Sequence, residues 1–133
     1  MSEIFATPPR SVVLAGGLPL VVVQRPGPRV LAARLVIRGG SGADPRDGRG
    51  AHQLLAGLMT RGCGSLDAEA LADLVEGAGA ALRAEASEDA LTLALHCGAE
   101  DAETLLPLLL TMARQPTLDP DQLELERQLN LQT

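Results

Sequence analysis

Leu91, Leu93 and Leu95 alternate with Thr92, Ala94 and His96, and this period of two constrains the fold more than any other feature. Successive side chains of a strand point to opposite faces, so the pattern demands a sheet with one covered and one open face. Helices elsewhere in the chain must supply the cover. The spacing predicts them at 51–59, where Leu54, Leu55, Leu58 and Met59 recur at helical intervals, and after Ser65 or Asp67, where Leu71, Leu74 and Val75 form a stripe ending at Gly77 and Gly79. A third helix is predicted over 100–114, with Pro107 expected to kink it or mark its first turn. A fourth starts at Asp119-Pro120, an N-cap followed by proline at the first helical position.

Strands are predicted over 12–14, 20–23, 30–37, 82–86 and 90–97. Gly16-Gly17 marks a hairpin and Pro26-Gly27-Pro28 a second turn, which suggests a three-strand antiparallel meander with Arg34 and Arg38 on one side of its last strand. Residues 39–50, rich in glycine, read as a mobile or tightly turned loop. The order is β-β-β-α-α-β-β-α-α. It implies an α+β fold, a mainly antiparallel sheet covered on one face by paired helices.

With 133 residues, the chain has the length of about one domain, and at 46% hydrophobic and 21% charged its composition is that of an ordinary globular protein. A net charge of −6 with scattered arginines argues against nucleic-acid and anionic-membrane partners. One aromatic residue, Phe5, leaves almost nothing for base stacking. The most apolar stretch, 12–23, is broken by two glycines and a proline and is too short to span a bilayer. Two cysteines and the lack of a secretory signal suggest reduced thiols in a cytosolic protein. The last helix runs to Thr133 without a cap, so a single domain over 1–133 is expected to be incomplete at its C-terminal end.

Of the two histidines, His52 opens a helix after the glycine-rich loop. The helical positions facing it are Leu55 and Ala56, which neither bind a cation nor move a proton. A metal site rebuilt from His52, Cys63, His96 and Cys97 is disfavoured, because neighbours on a strand point to opposite faces and only one of His96 and Cys97 could face His52. The loop lacks the Lys-Ser/Thr ending of a phosphate-binding P-loop.

The stretch around His52 resembles the inverted zinc metallopeptidases, the pitrilysin, insulinase and mitochondrial-processing-peptidase family, whose helix reads G-x-A-H-x-x-E-H followed by a basic residue and Gly-Thr. Gly50, Ala51, His52, Arg61 and Gly62 match, with Cys63 in place of the threonine. The segments Leu14 to Val23 and Leu35 to Ser41, the residues Ser65, Leu71, Gly79, Ala80 and Ala84, and then Pro116, Glu126 and Arg127 extend the resemblance over nearly the whole chain. It implies the N-terminal domain of a non-catalytic, bacterial member with the family's α/β roll.

The resemblance places Leu55 where the family has its general base, and Ala56 and Thr133 where it has two zinc ligands. Zinc in the active relatives needs three protein donors, so no cofactor is expected here. The resemblance also implies a partner or regulatory role beside an active homologous peptidase subunit, or self-association, with extended peptides pairing along Arg83, Ala84 and Glu85. Two alternatives stay open: a divergent zinc-dependent endopeptidase using His52 and Cys63, and a generic α+β interaction module.

Overall fold

The computed structural model describes residues 7–132. Strand β1 (Arg10–Val13) and strand β2 (Pro19–Val22) form an antiparallel ribbon. Its turn closes through Leu14 N–H on Leu18 O (2.8 Å) and Gly17 N–H on Leu14 O (3.0 Å), with Gly16 and Gly17 both at φ +87°. Positive φ at two successive residues is what a pair of glycines makes cheap.

Strand β3 (Val30–Arg38), strand β4 (Ala81–Ala86) and strand β5 (Ala90–Gly98) form a second antiparallel sheet in the order β3-β5-β4. The predicted meander therefore divides. β2 pairs with β1 alone, and β3 pairs with β5 along all nine residues. The physical reason lies in the two partners on offer. β5 presents a matching nine-residue strand whose inner face is buried, whereas β2 has four residues and is followed by Pro26 and Pro28, which lack N–H donors.

The alternation seen in the sequence is realised. Leu91, Leu93, Leu95 and Cys97 are buried, while on β3 Leu31, Ala33, Leu35 and Ile37 face the same core and Arg34 and Arg38 are exposed. Helix α1 (Ala51–Met59), helix α2 (Ala68–Gly77) and helix α3 (Ala102–Arg114) cover that face with Ala56, Met59, Leu71, Val75, Leu105, Leu109 and Met112. The Asp67 carboxylate caps α2 by accepting from Ala70 N–H at 2.8 Å. Pro107 falls at neither end of α3 but at its sixth residue, on an exposed side where water can satisfy the Glu103 carbonyl that proline leaves without a donor.

Helix α4 (Pro120–Leu131) packs on α1 and contributes no buried residue. Its half-buried positions are Gln122, Glu126 and Asn130, while Leu123, Leu125, Leu129 and Leu131 are exposed. No helix among the described residues is long and apolar enough to cross a membrane.

Candidate functional site

The glycine-rich segment before α1 is tightly turned. Two short 3-10 turns, Ser41–Ala43 and Arg46–Gly48, are fastened to the β4–β5 turn. Gly39, Ser41 and Gly42 N–H donate to Asp89, Ser87 and Glu88 carbonyls at 2.8–2.9 Å. Gly40 is buried there, and a Cβ on it would overlap Ser87 O and crowd Ala90 N. The close approach of two backbones is why this position has no side chain.

This fastening delivers Asp44 to the start of α1. Its carboxylate accepts from Gly50 N–H at 3.0 Å and His52 N–H at 3.3 Å, so it serves donors of the first turn that have no partner within the helix. The same group lies 2.5 Å from His52 Nδ1, with its side chain 4% exposed and that of His52 26% exposed. The His52 side-chain bond, helped by the Gly50 and His52 backbone bonds, outweighs desolvation and holds the Asp44 carboxyl below the usual aspartate value. An ionised carboxylate only accepts, so Nδ1 of His52 carries the hydrogen of this contact. Sequence reading missed Asp44. The Asp-Pro turn eight residues before His52 carries no helical or strand spacing that would join them.

One turn along α1, the chemistry stops. Ala56 is 2% exposed and sits in the hydrophobic core, with Leu55 packed against that core. Neither offers a donor atom. Thr133 lies outside the described residues. The side chains at this place do not fit zinc, which in hydrolytic sites takes three protein ligands and leaves one position open.

The other thiols and imidazole do not gather here. Cys63 is buried, bridging to Leu66 and Pro116 through its backbone, and burial pushes its thiol up. Cys97 is buried as well; burial first, then Asp101 and Glu100, push its thiol up. Neutral, enclosed thiols are poor nucleophiles. His96 is on the exposed face of β5, opposite to Cys97. Among the described residues, no group of three or more His, Cys, Asp or Glu side chains is placed to hold a metal ion.

The structure does unite Arg61 with Glu126. Arg61 Nε donates to Glu126 Oε2 at 2.8 Å, and its Nη1 donates to Gln122 Oε1 at 3.1 Å. Gly57 lies directly beneath the Glu126 carboxylate, where a Cβ would collide with it. Gly57 and Arg61 share one face of the α1 segment, Gln122 and Glu126 one face of α4, each pair at i and i+4. That spacing was visible, but nothing in it said that the two faces meet.

Arg83, Ala84 and Glu85 lie on β4, an edge of the three-stranded sheet. Arg83 and Glu85 are exposed, and Ala84 is half-buried on the inner side. The Ser87 N–H bond to Ala90 O sets the phase of the ladder. Arg83 and Glu85 then bond to β5, and the backbone groups of Leu82, Ala84 and Ala86 point outward along the edge.

An antiparallel sheet, a helical cover on one face and a Gly-Ala-His helix start define the class: an α+β domain built like the inverted-motif metallopeptidases. The comparisons with known proteins agree. A family model described as insulinase (peptidase family M16) matches residues 20–133, and the chain belongs to that family. No curated protein sequence matches.

Solved structures with the same fold include a peptidase M16 inactive domain from Pseudomonas fluorescens (23% identity, TM-score 0.76, covering 86% of this chain and 28% of that one). A protease from Helicobacter pylori (22%, 0.77, 91% and 29%) and pitrilysin (21%, 0.80, 92% and 13%) share it as well. The chain thus spans less than a third of each of these three structures.

Proposed function

We propose that this chain is a non-catalytic peptidase-like domain that works as the partner or regulatory part of a peptidase assembly. The observation that carries the reading is hydrocarbon at Leu55 and Ala56, with Ala56 enclosed by the core. A single oriented imidazole supplies one of the three protein donors that a hydrolytic zinc takes, and its helix face adds neither a second nor a carboxylate base. The likeness to a structure described as an inactive M16 domain supports the same reading.

The role left to such a domain is to bind and to shape. The outward backbone groups of β4 at Leu82, Ala84 and Ala86 suit pairing with an extended peptide, with Arg83 and Glu85 flanking them. The domain over 1–133 is one part of a larger peptidase-like unit in this reading, and an active homologous peptidase is its partner.

Two measurements test the proposal. Added to an active M16 peptidase from the same cell, the chain should raise peptidase activity while showing none alone. Elemental analysis after zinc loading and dialysis should find sub-stoichiometric metal. Stoichiometric zinc that disappears in His52→Ala, or turnover by this chain by itself, would overturn it.

A further inference from the structure

The sheet of β3, β5 and β4 has an open face opposite the helices, and its charge runs against that of the chain. The register sets Arg34 opposite Ala94 and Ala94 opposite Arg83. Two guanidinium groups thus flank one methyl group, on strands whose axes stand about 10 Å apart at two strand spacings. His96 and Thr92 lie to either side of Ala94 on β5, and these residues, with Ala81 and Glu85, line a shallow cleft of about 160 Å³.

No ion pair or side-chain hydrogen bond engages Arg34, Arg38 or Arg83 among the described residues, in contrast to Arg61 and Arg127. Two acids adjoin it: Glu85, which the register sets against Thr92 and which lines the cleft, and Glu100, whose carboxylate lies over Gly98 at the far end of β5. Three arginines against these two glutamates leave the face net positive on a chain of net charge −6.

We propose that this open face docks an acidic peptide segment, with Arg34 and Arg83 clamping its carboxylates over Ala94. Guanidinium forks match carboxylates in geometry as well as charge. The cleft has the size of a side chain, and no Phe, Tyr or Trp lines it. The site shares Arg83 with the edge pairing proposed above but does not rest on it, since that pairing uses backbone groups of β4 and this one uses guanidinium groups.

The test is fluorescence anisotropy of a labelled peptide of alternating Glu and Ala, titrated with the whole chain at low ionic strength. Arg34→Gln and Arg83→Gln should each weaken binding about threefold and the double variant about tenfold, the scale of exposed charge pairs. Arg46→Gln, in the loop before α1, should leave it unchanged, and salt near ~1 M should abolish it. Unaltered binding by the double variant would overturn the proposal. So would equal binding of the Lys-Ala counterpart, or a dimer in sedimentation that the double variant dissolves, since the occupant would then be a second copy.

Discussion

Strands β2 and β5 are both aliphatic, and their fates differ. Leu93 and Leu95 of β5 are 0% and 1% exposed, under three helices and between two strands. Val21 of β2 is 65% exposed, in a ribbon of two short strands. Hydrophobic character made both of them strands. Only β5 acquired neighbours on both edges and a layer above it, and so became the centre of the core.

The largest separation between the two regions should come from truncating each. Leu93→Ala should cost about 3–4 kcal/mol, as expected for a fully enclosed leucine, and Val21→Ala less than about 0.5 kcal/mol, as for an exposed site. Urea unfolding of both variants measures the gap, and equal losses would mean the ribbon is packed against something.

A smaller effect is expected where the sheet meets the loop before α1. Gly40→Ala pushes a methyl group into the backbone of the β4–β5 turn and should cost about 2 kcal/mol, in the range of overpacking. Gly57→Ala meets the end of a flexible Glu126 side chain instead, and should cost about 1 kcal/mol, the lower end of that range. Thermal melts of the pair would show whether a rigid backbone or a movable side chain is the harder neighbour.

The smallest change concerns Asp44, and its signature is pH. Its carboxyl is lowered in the folded chain, so its contribution is present above the ordinary aspartate value of 3.8 and is lost as pH falls through the lower folded value. Asp44→Asn should flatten that acid limb of the stability curve, read by urea unfolding from about pH 2 to 6. A curve identical to that of the unaltered chain would show that the contact with His52 does not stabilise the fold.

Much of the fold could be read from spacing. The five strands, the four helices, the Asp67 and Asp119 caps and the polar face at Arg34 and Arg38 follow from periodicity and local chemistry, which act over a few residues. The site was legible only in part. His52, Leu55 and Ala56 could be picked out because they occupy one helix face. Asp44 could not, because a loop pinned to a turn more than forty residues later aims it.

The sequence by itself determined the element types and left hydrocarbon at Leu55 and Ala56, since both depend on residue identity and short-range geometry. Tertiary structure decided that β3 leaves β2 for β5, that Arg61 finds Glu126, and that Arg34 and Arg83 share one floor. Those pairings join residues far apart in the chain, and their energies appear only when the sheet and its covering helices are assembled.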